Sequence, residues 1–374
     1  MTRPVRSAIV GTGMIADAHA AAIAELSPRI ELVAVVDLDA SRARAFADAH
    51  GGATVYPDAA ALLAAEDLDL VHISTPPQTH VALATQALRA GVPALIEKPT
   101  APNLAEMADL VAVSRETGVP ALTVFQHRYG PAGQRLARLA RDGVLGRPLV
   151  ATCDTLWHRP PEYFDLPWRG TWEVEGGGPT MGHGIHQFDL LLAVLGPWSR
   201  LTAFAARQAL PTDTEDVSMA VVEFENGALA SVVNSIVSPA QTSRLRFDFE
   251  YATVELEHVY GYTDADWTFT PLTGHEHLAE VWPAPASDRP SSHRDQIEAI
   301  LDAFDRGETP GVTAEDAART LELAAATYAS AFRGVPVRAG ELGADDPFAR
   351  TMGGGAAPWP RVKNLPADTK ETAR

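Results

Sequence analysis

The stretch Ala94-Leu95-Ile96-Glu97-Lys98-Pro99 sets a lysine at the end of a short, buried-looking strand. The same chain begins with a glycine-rich turn, Gly11-Thr12-Gly13-Met14-Ile15-Ala16, between an apolar run and an alanine-rich helical pattern. That context makes the turn a dinucleotide site: Gly11 permits the tight turn, Gly13 lets backbone approach a pyrophosphate, and Ala16 lets helix and strand pack closely. Helix N-terminal amides would then point at the phosphates. Open α/β sheets hold ligands outside the carboxyl ends of their strands, so Lys98 is placed for chemistry. Loss of a hydride from a carbinol carbon requires removal of a proton from its oxygen. A lysine desolvated beside a positive nicotinamide can have its pKa lowered toward working pH for that task.

Asp37 ends the second apolar run, about twenty residues beyond the glycine turn, where a carboxylate accepts from the adenosine ribose hydroxyls. NAD is therefore expected ahead of NADP, whose 2′-phosphate would meet repulsion from Asp37 and Asp39; Arg42 and Arg44 lie close enough in sequence to keep NADP as the alternative. Asp37 acting only as a cap for the following helix would leave the preference open. Ser74-Thr75-Pro76-Pro77-Gln78-Thr79-His80 leaves another strand, so Ser74, Thr75, Pro76 and His80 are expected near the nicotinamide ribose, beside Glu97 and Lys98.

Further along, Trp157, His158, Arg159, Tyr163, Trp168, Arg169 and Trp172 crowd one stretch. Aromatic faces with interspersed donors suit a sugar or cyclic polyol, with its CH surfaces and many hydroxyls. An aromatic core or a subunit interface reads equally well for any one of these residues. Gln126-His127-Arg128 follows the first half directly, with Gln126 a candidate for the cofactor and Arg128 for the substrate. Gly176 to His186 forms a second glycine-rich turn carrying His183 and His186. No metal is assigned to His158, His183 and His186, since neither cysteine pairs nor an HExxH helix supports one.

The elements that must position these groups fall into two textures. Ser7 to Val10, Leu32 to Asp37, Leu70 to Ser74, Ala94 to Glu97 and Ala121 to Phe125 read as strands alternating with helices, hence βαβ units and a parallel Rossmann sheet over 1–125. Pro57-Asp58 and Pro102-Asn103 read as helix starts and Gly91 as a helix end. Beyond a helix at Ala132 to Arg141, strands are expected at Leu149 to Leu156, Leu201 to Ala206, Val217 to Phe224, Ala228 to Ser235, Leu245 to Phe249 and Ala252 to Leu256. Asn226-Gly227 is a hairpin signal, and several strands alternate in polarity. A second α/β domain over 126–350, with a large, mostly antiparallel sheet open on one face, follows. Helical patterns return at Gln296 to Phe304 and Ala314 to Ala331, and 351–374 reads as a disordered tail or an arm across a neighbouring subunit.

The 374-residue chain exceeds one ordinary core, and 30 Lys+Arg against 48 Asp+Glu gives a net charge of -18, which disfavours nucleic acid and anionic membrane surfaces. Cys153 is the sole cysteine, so no intrachain disulfide forms. With neither a signal peptide nor a membrane-spanning run in view, the cytoplasm is the expected compartment.

Gly11 to Ala16, Ser74 to His80, Glu97-Lys98-Pro99, Trp168-Arg169-Gly170, Gly176-Gly177-Gly178 with His186 and Asp189, and closing helices with His293, Gln296 and Phe304 together resemble the Gfo/Idh/MocA oxidoreductases, the glucose-fructose oxidoreductase and inositol dehydrogenase family. The resemblance implies that Lys98 acts as acid/base on the substrate hydroxyl and that His186 sits on a substrate-facing helix. It also implies that Trp168 and Arg169 reach the cofactor and that the open sheet mediates homo-oligomerisation. The chain departs from the pattern at Gly182, where many such dehydrogenases carry an aspartate four residues before the histidine matching His186. His183 is the neighbouring candidate to replace it. The expected activity is NAD-dependent hydride transfer to or from a secondary hydroxyl of a sugar, sugar derivative or cyclic polyol. The alternatives are a redox-neutral NAD-dependent enzyme of epimerase or glycosidase type, and a non-catalytic NAD-binding sensor.

Overall fold

The computed structural model describes residues 3–283, 288–355 and 357–363. In the first 125 residues, β1 (Val5–Val10), α1 (Met14–Glu25), β2 (Ile30–Val36), α2 (Ala40–Ala49), β3 (Thr54–Tyr56), α3 (Ala59–Ala65), β4 (Leu70–Ile73), α4 (Pro77–Arg89), β5 (Ala94–Ile96), α5 (Leu104–Thr117) and β6 (Ala121–Thr123) alternate. The six strands are parallel in the order β3-β2-β1-β4-β5-β6. The order reverses between β1 and β4, which is the switch point where a doubly wound sheet opens a binding crevice. Strands buried on both faces read as unbroken apolar runs, and β4 is buried throughout. Local caps start the helices: Asp58 Oδ1 accepts from Ala61 N at 2.7 Å, and Asn103 Oδ1 from Glu106 N at 2.9 Å.

The second half contains α6 (Pro131–Arg141), β7 (Pro148–His158), the single turn α7 (Pro179–Gly182), α8 (Ile185–Leu195), β8 (Trp198–Ala206), β9 (Val217–Phe224), β10 (Leu229–Ser235), β11 (Val237–Phe249), β12 (Ala252–His258) and β13 (Trp267–Pro271). Then come α9 (His293–Arg306), α10 (Ala314–Arg333), β14 (Val337–Arg338) and the short α11 (Pro347–Arg350). Its eight-stranded sheet runs β13-β12-β11-β7-β10-β9-β8-β14, antiparallel except where β10 pairs with β7. Gly227, at φ +89°, turns β9 into β10 at the Asn226-Gly227 signal. In β9, Ser218, Ala220, Val222 and Phe224 are buried while Met219 and Val221 are exposed, so one face of the sheet packs under helices and the other is open.

The chain divides into two compact units, with one break between Phe125 and Gln126. The expectation of a single domain over 126–350 is corrected, because His293–Ala318 belongs to the first unit. Ile297, Ile300 and Leu301 of α9 join Ile9, Ile23, Val35, Leu95 and Leu122 in its core. The second unit holds Gln126–Ser292 and, of the described residues, those from Arg319 to Lys363.

The tail is also corrected where it is described. Buried Asp213 accepts from Val362 N at 2.7 Å and Lys363 N at 2.9 Å, and Arg361 Nε meets its Oδ2 at 3.1 Å, so residues 357–363 dock on their own unit. Residues 364–374, included in that expectation, lie outside the described residues.

Candidate active site

In the first unit the glycine turn is built by hydrogen bonds between strand ends. Ser74 N donates to Val10 O at 2.9 Å and Ser74 Oγ to Gly11 O at 2.7 Å, which ties the loop after β4 to the loop after β1. Gly11 sits at φ +92°, and a Cβ there would lie 2.8 Å from Thr75 Cγ2 and 2.9 Å from the Ser74 carbonyl. A Cβ on Gly13 would meet nothing within 4 Å, so the opening of α1 is accessible, with Met14 exposed and Ile15 half-buried. A backbone cradle of this kind, with free space before a twelve-residue helix, fits a pyrophosphate.

Asp37 follows β2 directly. Its Oδ2 accepts from Thr12 N and Thr12 Oγ1, both at 2.8 Å, and its Oδ1 from Asp39 N at 2.9 Å. Arg42 closes on both oxygens, with Nη2 2.5 Å from Oδ1 and Nε 3.1 Å from Oδ2. Burial pushes the Asp37 carboxyl up, but these donors outweigh it and hold it at about 2. Asp39, not Asp37, caps α2, accepting from Ser41 N and Arg42 N. Arg42 is exposed, so of the two side chains on this carboxylate, Thr12 and Arg42, it is the one at the solvent edge.

Glu97 and Lys98 follow β5. Glu97 is buried and its Oε2 accepts from Lys98 N at 3.1 Å. Burial lowers the proton affinity of the Lys98 ammonium while the Glu97 charge opposes that shift. His80, buried in α4, bridges the two neighbouring loops, with Nδ1 2.9 Å from Pro99 O and Nε2 2.7 Å from Thr75 O. Thr79 Oγ1 closes the same turn on Thr75 Oγ1 at 2.7 Å, beside the exposed Pro76.

In the second unit, the glycine-rich turn of 176–186 holds a helical turn, a break and the start of a longer helix. The single turn α7 ends at Gly182, and α8 starts at Ile185. His183 and His186 therefore enter different surroundings. The His183 ring meets Trp157 edge-on at 4.9 Å, whereas buried His186 stacks on His127 at 4.8 Å. Tyr260 joins the two groups, 6.0 Å from Trp157 and 6.5 Å from His186, and Gln126 Nε2 reaches its hydroxyl at 3.5 Å. Arg159 lies 4.9 Å over Trp157, extending this aromatic surface.

Other expected residues take different positions. His158 is exposed on the opposite face of β7 from buried Trp157, because adjacent strand residues alternate. Arg128 Nε pairs with buried Asp189 at 2.5 Å and braces α8. Arg169 stacks on Tyr163 at 4.1 Å and on Trp168 at 4.6 Å, and donates to the Tyr163 hydroxyl and Glu175. Trp172 packs against Tyr328 at 5.2 Å and donates to Asp213 O, a structural role. Sequence reasoning missed Tyr260 and His258, whose only signal was aromatic residues clustered just after a strand. It also missed Glu215 beneath the turn. Glu215 is fully buried and accepts from Gly178 N at 3.0 Å, Thr180 N at 3.1 Å and Tyr328 Oη at 2.8 Å. Burial outweighs these donors and raises its carboxyl to about 7.

Comparisons with known proteins settle the lineage. Residues 5–125 match the family described as an oxidoreductase family with NAD-binding Rossmann fold, and residues 134–255 match the GFO/IDH/MocA C-terminal domain. The chain belongs to the Gfo/Idh/MocA oxidoreductase family. It is 30% identical over 374 aligned positions to a D-apiose dehydrogenase of Paraburkholderia graminis, covering 94% of each chain. It is 34% identical to a D-glucoside 3-dehydrogenase of Escherichia coli over 52% of this chain and 54% of that one. Among solved structures, the WlbA dehydrogenase of Bordetella pertussis in complex with NADH and UDP-GlcNAcA matches at 26% identity and TM-score 0.78, over 90% of this chain and 99% of that one. As a Gfo/Idh/MocA member, the protein is an enzyme of an NAD-binding oxidoreductase family. No helix among its described residues is long and apolar enough to cross a membrane.

Two outcomes follow from this geometry. Gly11→Ala forces a Cβ into the Ser74 carbonyl and a left-handed backbone costing about 1–2 kcal/mol. NADH affinity, read by fluorescence titration, should fall roughly tenfold or more; an unchanged Kd in a folded variant refutes the cradle. For Glu215, the folded pKa of about 7 lies above the ordinary 4.5, so between these values the folded state keeps a proton that the unfolded state has lost. Its stabilising contribution is complete below about pH 4.5 and is lost as pH rises through 7, an effect on the order of 3 kcal/mol. Glu215→Gln should flatten the fall in unfolding free energy between pH 5 and pH 8; the same slope in both proteins would refute this.

Proposed function

We propose that the enzyme is an NAD-dependent dehydrogenase, or reductase in reverse, acting on a secondary hydroxyl of a sugar, sugar derivative or cyclic polyol. Lys98 and His186 are its proton-handling groups. The observation that carries the reading is Lys98 itself, a lysine made easier to deprotonate by burial and fixed at the carboxyl end of β5 beside the glycine turn's sheet. Bound NAD would be held by the Gly11–Ile15 turn and Asp37, and supplies the hydride acceptor. NAD is preferred to NADP because the Asp37 carboxylate stays charged at any working pH, with Arg42 neutralising it only in part. In the second unit, Trp157, His183, His186, His127 and Tyr260 offer ring faces and polar edges of the kind a sugar needs. The named relatives act on sugars and sugar derivatives by their names.

Lys98→Met should bind NAD with unchanged affinity and lose at least about a hundredfold in turnover, the usual contribution of a positioned acid/base group. The assay is NADH formation across aldoses, inositols and amino or acid sugars, with product analysis for turnover that leaves the cofactor unchanged. Full turnover by the variant on the true substrate overturns the assignment of Lys98.

We also propose that the open sheet face joins two copies of the chain. Phe204, Met219, Val221 and Leu229 are exposed there on β8, β9 and β10, and the arginine-acid pairs Arg244–Glu255 and Arg246–Asp248 lie on the same sheet. An apolar patch beside a ladder of mixed charge is self-complementary under a twofold axis. Light scattering should give a multiple of the 39.9 kDa chain, reduced by Phe204→Asp with Val221→Asp; a monomeric parent protein refutes the interface.

A further inference from the structure

Within the first unit, Glu97 is met by two histidines from separate elements, with a third behind one of them. His19 comes from α1, His72 from β4 and His293 from the first turn of α9. His19 and His72 are fully buried, and Glu97 and His293 nearly so. Glu97 Oε1 lies 3.2 Å from His19 Nε2 and 2.8 Å from His293 Nε2, while Oε2 takes the Lys98 amide. His19 Nδ1 lies 3.0 Å from His72 Nδ1.

The proton positions follow from chemistry. A carboxylate only accepts, so both Nε2 atoms facing it carry hydrogens. A neutral His19 then has a bare Nδ1, which accepts from His72 Nδ1–H. His72 Nε2 is left as a buried lone pair without a hydrogen-bond partner. The reverse arrangement would bury an unpartnered N–H on His72 and a cation on His19, the costlier choice. Burial lowers the proton affinity of His19 and His72, in keeping with neutral rings. Burial pushes Glu97 up, and the His19 and His293 hydrogen bonds outweigh it, holding the carboxyl well below its ordinary range.

We propose that His19 and His293, with His72 oriented behind His19, are positioning residues that hold Glu97 as a fixed carboxylate against the Lys98 backbone and so tune the proton-carrying lysine. The proposal rests on the assignment of Lys98 made above. Besides Lys98, His80 of α4, beside the carbonyls of Thr75 and Pro99, also faces this carboxylate. Removing a histidine donor leaves a buried carboxylate short of a partner, so Glu97 takes up a proton. Lys98 then loses the adjacent negative charge that favours its ammonium form, and its titration moves to lower pH.

The chain offers an unusual handle for the test. Lys98 is one of three lysines, the others being Lys363 and Lys370. Incorporation of [ε-13C]lysine into the full chain gives three resonances, and Lys98→Met identifies one of them. With NAD present and no substrate, the Lys98 midpoint should fall by about one pH unit in Glu97→Gln, and in the same direction by less in His293→Phe. An unmoved midpoint in folded Glu97→Gln overturns the proposal, as does a midpoint that moves in that variant but stays at the parent value in folded His293→Phe. His19, Glu97 and His293 also present donor atoms within 4.8 Å of one another. A stoichiometric metal ion on the purified protein, quantified by plasma emission, would replace both Nε2 protons and likewise overturn the proposal. Because the titration reads Lys98 without turnover, it can fail while the Lys98→Met activity test succeeds, and the reverse.

Discussion

An acidic side chain shut away from water costs several kcal/mol unless donors reach it, and this acidic chain buries such groups at strand ends, in a helix and beneath a turn. Asp37 is met by Thr12, Asp39 and Arg42, and Glu97 by His19, His293 and the Lys98 amide. Asp189 takes Arg128, while Glu215 takes Gly178, Thr180 and Tyr328. Each acid therefore ties down the segments that donate to it, since any displacement leaves a buried charge or polar group without its partners. The glycine turn, the strand end that carries Lys98, the link from Arg128 to α8 and the second glycine-rich turn are each held by one of these acids.

The first sheet was legible in the sequence because its determinants are local. Buried parallel strands read as apolar runs, caps such as Asp58 and Asn103 act within three residues, and the Gly11 turn is a contiguous motif. Where determinants are distant the reading stopped. The helical pattern in 296–304 shows which face of α9 is apolar, not which core it enters, so its return to the first unit was invisible. The histidines around Glu97 are separated from it by 78 and 196 residues, and a single histidine within an apolar element reads as core. The strands Thr54–Tyr56 and Val337–Arg338 are too short to carry a period.

In the second unit the residue types were legible and their sides were not. Trp157 and His158 are neighbours in sequence, and strand parity alone puts one under the helices and the other on the open face. Arg128 and Arg169 read as ligand-binding cations, and the structure adds an internal acid within reach of each, Asp189 for the first and Glu175 for the second. An arginine's partner is set by three-dimensional proximity, which spacing does not encode.

The glycines of the 176–184 turn separate packing from chemistry. A Cβ on Gly178 would lie 1.9 Å from Glu215 O, and one on Gly184 2.0 Å from Asn234 Oδ1, so both positions are closed to any side chain. Between α7 and α8, His183 leaves the helical backbone at φ -123° and ψ -51°, and its ring lies by Trp157 while that of His186 lies by His127. Gly182 is different: a Cβ there would meet nothing within 4 Å. Packing leaves room for a carboxylate at 182 and the chain does not use it, so between Gly176 and His186 the ionisable side chains are the two histidines, His183 and His186.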